Sequence, residues 1–283
     1  MKALLTDATG LDSLVLADQP SPTAGARDVI VSVEAATINP VDLNLVTGLA
    51  AGRVSGSAPW TPGWDLAGIV SAVGESVERS LIGRRVIGFS HLFRTGTGTQ
   101  ASEVQLPVEN VAVSAGLSPA ELTTFGLNGM TAFQAIEAAD FPEGAHVIVA
   151  GASGSVGGFV SQIARHRGFT VVPLGRSSDL SNLEPLGADG VINCGPMNAE
   201  VLRGVKDGGC AISVTKPYET VRGITTLRVG VVPDQACLRS VLRLAESGVL
   251  SAQVGRTFPL EKALDAYRHV ASGISHGRAV LTF

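Results

Sequence analysis

The stretch His146-Val-Ile-Val-Ala150, followed by Gly151-Ala-Ser-Gly154-Ser-Val-Gly157-Gly158, limits the possible folds more than any other part of this chain. Its first half is a short apolar run and reads as a buried strand. Three glycines at three-residue spacing come next, and then Val156, Val160, Ile163 and Ala164 mark one face of a helix. A strand, a tight turn and a helix N-terminus in that order aim backbone N–H groups and the helix dipole at one point, which suits a pyrophosphate. Glycine is needed there because a side chain would block the phosphates or the helix–strand contact. The segment predicts dinucleotide binding, with Ala152, Ser153, Gly154, Ser155, Val156 and Gly157 lining the turn.

Composition narrows the class. The chain has 283 residues, 45% hydrophobic and 16% charged, which predicts two packed domains rather than disorder. A formal charge of −4 with no basic run predicts no nucleic-acid partner. The start, Met1-Lys-Ala-Leu-Leu-Thr-Asp7, lacks the apolar core of a signal peptide, and no run reaches membrane-spanning length without glycines or polar residues. A cytoplasmic protein with no membrane partner is the expectation. Cys194, Cys210 and Cys237 are too few and too scattered for a zinc knuckle or a disulfide framework, and read as reduced thiols. His91, His146, His166, His269 and His276 have no second ligand at metal spacing and read as surface or strand-edge residues.

The first hundred residues read as many short strands separated by glycine and proline turns. Strands are expected over 28–35, 66–73, 83–89 and 101–106, which suggests a small barrel. From Ser118 the pattern changes. Ser118-Pro-Ala-Glu121 carries the serine and glutamate of a capping box, with proline at the first helical position. Strand and helix patterns then alternate over 146–150, 156–167, 170–174, 189–193, 198–205 and 210–214, as in a parallel sheet with crossovers. A helix over 259–270 and a strand over 279–283 close the chain.

Taken together, these residues resemble the medium-chain dehydrogenase/reductase superfamily, and within it the zinc-independent quinone oxidoreductase branch. The motifs that carry the resemblance are Asn39-Pro-Val-Asp42, Pro62-Gly-Trp-Asp-Leu-Ala-Gly68, Gly129-Met-Thr-Ala132, Gly151 to Gly157, Phe258-Pro-Leu260 and Gly277-Arg-Ala-Val-Leu281. Their order runs along nearly the whole chain. The resemblance implies an α/β protein with a GroES-like β-barrel catalytic domain, residues 1–115 and 252–283, and a Rossmann-type doubly wound parallel sheet, residues 116–251.

The three side chains that hold zinc in metal-dependent relatives map onto Asn39, Trp64 and Leu127. Tryptophan and leucine offer no suitable lone pair and an amide is a poor ligand, so no metal is expected. Without a Lewis acid an ordinary ketone is hard to polarise, whereas a quinone or an enone spreads charge onto an oxygen that hydrogen-bond donors can stabilise. Asn39 is the candidate donor; its other reading is an Asx-turn residue that satisfies its own backbone. Asp42 matches the motif, with capping or pairing to an arginine beside a catalytic role. Thr131 resembles the family's nicotinamide-contacting threonine. Leu45 and Gln100 stand where relatives often carry aromatic residues, so the substrate does not transfer from the family.

Cofactor choice is read at the end of the second strand of the parallel sheet. Thr170-Val-Val-Pro-Leu-Gly175 is followed by Arg176, Ser177 and Ser178, where an NAD enzyme usually places an acid. Arginine grips a phosphate through paired donors, so NADPH is expected, the other reading being a solvated loop arginine. Asp179 is the nearby residue that would oppose it. Relatives carry roughly one more strand–helix unit before Gly208-Gly-Cys-Ala-Ile-Ser-Val214. We assign 189–193 to the central place beside the glycine-turn strand, with the outer strand missing; Pro173 agrees, because proline is tolerated best at an edge. Asn193 and Cys194 then join Thr215 and Arg278 in the expected cofactor set. Residues 225–232 alternate as a sheet-edge strand, which suggests a homodimer through that edge. The expected function is NADPH-dependent reduction of a quinone or other α,β-unsaturated carbonyl; an enoyl-thioester reductase or a non-catalytic NADPH-binding protein are the alternatives.

Overall fold

The computed structural model describes residues 1–175, 183–195, 199–273 and 277–283. The chain opens with an antiparallel pair, β1 (Lys2–Leu5) and β2 (Val15–Asp18), closed by an exposed ion pair between Lys2 and Asp18. The long strand β3 (Asp28–Ile38) follows, and at its end Asn39 starts α1 (Pro40–Val46). Then come β4 (Asp65–Val73), β5 (Arg85–Phe89), the short α2 (Leu92–Thr95), β6 (Glu103–Pro107), β7 (Val111–Val113) and α3 (Pro119–Thr123). The expected strands are present, with ends shifted by one to three residues. Alternation puts Val29, Val31, Val33, Leu66, Val70, Val86, Val104 and Leu106 into one apolar core. Ser118 caps α3 as its sequence predicts, accepting from Glu121 N–H while the Glu121 carboxylate accepts from Ser118 N–H.

Helix α4 (Gly126–Ala139) leads to a sheet that among the described residues has five strands, all parallel: β8 (His146–Ala150), β9 (Thr170–Leu174), β10 (Ala188–Asn193), β11 (Val205–Ser213) and β12 (Thr225–Arg228). The spatial order is β12-β11-β10-β8-β9. Helix α5 (Ser155–His166) crosses from β8 to β9 and buries Phe159, Val160, Ile163 and Ala164. β10 lies beside β8, and among the described residues β9 is the edge strand carrying Pro173, as the shortened-sheet reading expects. The crossover expected over 198–205 is a 3₁₀ helix, Ala199–Gly204, rather than an α-helix.

After α6 (Gln235–Glu246) the chain forms β13 (Val254–Pro259), α7 (Ala263–Ala271) and β14 (Arg278–Thr282). β14 pairs antiparallel with β3, completing a sheet in the order β13-β14-β3-β4-β5-β7, with β6 also on β3. The C-terminal segment therefore folds with the N-terminal strands. A second core joins them, with Ile38, Val46, Phe258, Leu260, Tyr267 and Leu281.

By contacts the chain divides into two units. The first comprises Met1–Leu127, Val232–Leu242 and Ala252–Phe283; the second comprises Asn128–Val231 and Arg243–Ser251. Residues 116–127 and 232–242, assigned from sequence to the Rossmann domain, thus group with the barrel. The reason is local packing: α3 lies on β3 and β4, and the Gln235 side chain donates to the carbonyls of Val108 (2.9 Å) and Val111 (3.1 Å). No helix among the described residues is long and apolar enough to cross a membrane.

Candidate active site

In the barrel unit, the ends of β3 and β4 gather a cluster of buried polar side chains: Thr37, Asn39, Asp42, Asp65, Gln100 and Tyr267. Asn39 caps α1 and is 1% exposed. Its Nδ2 donates to Thr37 Oγ1 at 3.0 Å and to Asp65 Oδ2 at 3.3 Å. Thr37 Oγ1 in turn donates to Asp65 Oδ1, so the two acceptors are neighbours. Asp42 uses both carboxylate oxygens on the backbone, accepting from Asn39 N–H (2.8 Å) and Gly63 N–H (2.9 Å). Gly63 sits at φ +107, where a Cβ would also meet Thr99, so the turn that presents this N–H needs glycine.

Burial dominates the electrostatics. It pushes the Asp42 carboxyl up to about 7, with the nearby Asp65 charge adding to the rise and the two backbone N–H groups and Arg278 opposing it. Asp65 is raised for the same first reason, against its hydrogen bonds from Thr37, Leu127 and Asn39 and the Arg278 charge. Arg278 is itself lowered by burial, while Asp65 and Asp42 act to raise it. The charges of Arg278, Asp42 and Asp65 thus act on one another, and Asp42 makes the capping contact with Asn39 N–H. Tyr267 donates to Gln100 Oε1 at 2.8 Å, and Gln100 Nε2 donates to Thr37 O at 3.2 Å. Gln100 and Leu45, the two departures from the family pattern, are both fully buried.

Asp65, Gln100 and Tyr267 were not singled out from sequence as site residues. Asp65 lies inside a recognised motif and could have been flagged as an acid in an otherwise apolar strand. Gln100 was marked only as a departure from the family pattern, and Tyr267 gave no signal, because the two meet across 167 positions of chain. Trp64, at one of the zinc-mapped positions, stacks against Phe89, His91 and Phe93, with ring centroids 5.9, 5.1 and 4.9 Å away. His91, half-buried just past the end of β5, is a member of this ring cluster, and burial, helped by Arg94 and Arg53, lowers its pKa. Leu127 contributes its backbone N–H to Asp65 Oδ2 (3.2 Å).

In the second unit, Gly154 is the N-cap of α5 and the glycine turn leads into its first residues. At Gly157 a Cβ would collide with the Gly151 carbonyl oxygen, so this glycine sets how closely the helix approaches the turn. The first N–H groups of an α-helix have no intrahelical acceptor, which leaves the start of α5 suited to a pyrophosphate. At the end of β10, Asn193 is buried, its Oδ1 accepts from Gly195 N–H (3.3 Å), and its Nδ2 has no hydrogen-bond partner. The residues that follow it pack against the glycine turn: Cys194 N–H donates to Ala150 O at 2.8 Å, and Gly151 lies against Gly195. Thr215 Oγ1 donates to Gly195 O at 3.3 Å. A buried amide N–H without an acceptor, beside a helix start that only glycine permits, fits a dinucleotide. Thr131 lies within α4 and is 8% exposed. Arg176 and Ser177, expected to read the cofactor's ribose phosphate, lie outside the described residues, as do Asp179 and His276.

A barrel-like unit followed by a parallel sheet with a glycine turn defines a two-domain dehydrogenase or reductase that uses a nicotinamide cofactor. Comparison with known proteins agrees. Residues 25–132 match the alcohol dehydrogenase GroES-like domain, and residues 167–281 match the zinc-binding dehydrogenase model. The chain is similar to 2-methylene-furan-3-one reductase of Solanum lycopersicum, 28% identical over 98% of this chain and 77% of that protein. It is also similar to the chloroplast envelope quinone oxidoreductase homolog of Arabidopsis thaliana, 24% identical over 97% and 94%. Among solved structures, an alcohol dehydrogenase superfamily protein from Novosphingobium aromaticivorans superposes with a TM-score of 0.85 at 25% identity, covering 100% of this chain and 99% of that one. The chain belongs to the medium-chain dehydrogenase/reductase superfamily, and by that membership is an oxidoreductase.

Proposed function

We propose that this protein is a metal-independent, NADPH-dependent reductase of quinones or other α,β-unsaturated carbonyls. The observation that carries the reading is what stands at the three positions where metal-dependent relatives hold zinc. Asn39 turns its amide toward Thr37 and Asp65, Trp64 is enclosed by aromatic rings, and Leu127 offers only a backbone N–H already given to Asp65. Trp64 and Leu127 supply no suitable lone pair to a cation, and the Asn39 amide is a poor zinc ligand. The names of the relatives, a furanone reductase and a quinone oxidoreductase homolog, agree with a conjugated acceptor.

Bound NADPH would supply the hydride. The start of α5, from Gly154 to Gly157, is assigned to the pyrophosphate, Arg176 and Ser177 to the ribose phosphate, and Thr131 to the nicotinamide. Asn193 Nδ2 would find its missing acceptor on the cofactor. Asn39, whose amide is held by Thr37 and Asp65, is assigned to orient the acceptor oxygen. Asp42 holds the turn that carries Asn39, and solvent delivers the proton. Cys194, Cys210 and Cys237 form no disulfide, which suits a reducing compartment, and we place the protein in the cytoplasm as a homodimer joined through β12.

The test is a titration with NADPH and with NADH, followed by cofactor-oxidation rates over a panel of quinones and enones before and after treatment with a chelator. NADPH-preferring turnover that survives chelation is expected, with Asn39→Ala slower by about a hundredfold, the cost of losing one donor to a developing oxyanion. Binding without turnover across the panel would replace this reading with a non-catalytic NADPH-binding role.

A further inference from the structure

Asp65 accepts hydrogen bonds from five donors while being completely buried. Oδ1 takes Thr37 N–H (3.3 Å), the Thr37 hydroxyl and the Thr123 hydroxyl (3.4 Å). Oδ2 takes Asn39 Nδ2 (3.3 Å) and Leu127 N–H (3.2 Å). The backbone is shaped around this group, since a Cβ on Gly126 would collide with that of Asp65. Core packing alone asks for none of this. An apolar residue at the start of β4 would bury at no electrostatic cost, whereas a buried carboxylate is tolerated only when its lone pairs are met.

The chemistry of the pair points to a purpose. A carboxylate can only accept, so it draws the Nδ2 end of the Asn39 amide and repels the Oδ1 end. Thr37 reinforces the same sense, because its hydroxyl hydrogen is committed to Asp65 and its lone pairs face the amide. An amide in place of the carboxylate would present a donor of its own, and the Asn39 side chain could then turn end for end. We propose that Asp65 is a positioning residue: its carboxylate fixes which end of the Asn39 amide faces the acceptor oxygen, and it acts on the reaction through Asn39. This inference rests on the reading of Asn39 given above.

A kinetic double-mutant cycle tests it with Asp65→Asn, Asn39→Ala and the double variant, on a quinone that the wild type reduces. Asp65→Asn is expected to lower kcat by about tenfold or more, with the KM for NADPH changed by less than about twofold. In the Asn39→Ala background the same substitution should change kcat by less than about twofold, because the group it acts through is gone. Independent, multiplicative losses would show a merely structural role and overturn the proposal. Should Asp65→Asn fail to fold, Thr37→Val removes the hydroxyl that bridges the two side chains, and the same non-additivity with Asn39→Ala is required. A second readout does not depend on turnover. The Asn39 Nδ2 proton that is bonded to Thr37 and Asp65 should be protected from hydrogen exchange in the wild type and lose that protection in Asp65→Asn; equal exchange in both overturns the proposal. A wild type that is protected yet reduces nothing would sink the functional reading while leaving the hydrogen-bond assignment standing.

Discussion

Asp42 is held as a carboxyl whose folded-state pKa, about 7, lies above its ordinary value of 3.8 because burial penalises the charge. Between those values the folded chain keeps a proton that the unfolded chain has released, so stability falls as pH rises through that window and levels off above about 7. The prediction is a melting temperature that declines from about pH 4 to about pH 7, and a shallower decline in Asp42→Asn, measured by thermal scans across a buffer series. An identical slope in wild type and variant would remove Asp42 from the account. At this scale the sequence was legible where partners are neighbours. Asn39 and Asp42 sit three apart at a helix start, and their bond follows from a known turn chemistry. Gln100, Tyr267 and Asp65 meet partners from distant strands and helices, and no local pattern announces contacts made only by the folded sheet.

The clearest element is the β8–turn–α5 unit, and its clarity has a physical basis. A buried strand, three glycines and an apolar helix face each leave their own periodic mark, and all three agree. Gly157 is the residue on which the close approach depends, since a Cβ there would collide with the Gly151 carbonyl. Gly157→Val is expected to cost about 1–3 kcal/mol from forced backbone movement. It should also abolish the rise in melting temperature that saturating NADPH gives the wild type, which for ligand at a hundred times its Kd amounts to about 2.7 kcal/mol. A variant that still gains that stability would show the turn to be uninvolved. Elements were less legible where patterns are short. The pair β1 and β2, four residues each, carries too little alternation to be found. Residues 199–204 have the composition of a helix but only enough length for a 3₁₀ turn between two adjacent parallel strands.

At the scale of the whole molecule, the parallel sheet has five strands among the described residues, and the placement of β10 beside β8 was foreseeable from which strand a sheet can lose. Both rims of the sheet have consequences. At one rim β12 pairs only with β11 among the described residues, and Leu227 is 43% exposed on it. If two copies join there, Leu227→Lys should shift the protein from dimer to monomer in light scattering at matched concentration; a monomeric wild type would refute the assembly. At the other rim, Thr170 N–H donates inward to Ala145 O at 2.9 Å, and alternation turns the backbone nitrogens of Val171 and Pro173 outward. The ring nitrogen of Pro173 bears no hydrogen, so an incoming peptide would meet a broken ladder. A sheet whose rim carries that proline is hard for a stranger to complete.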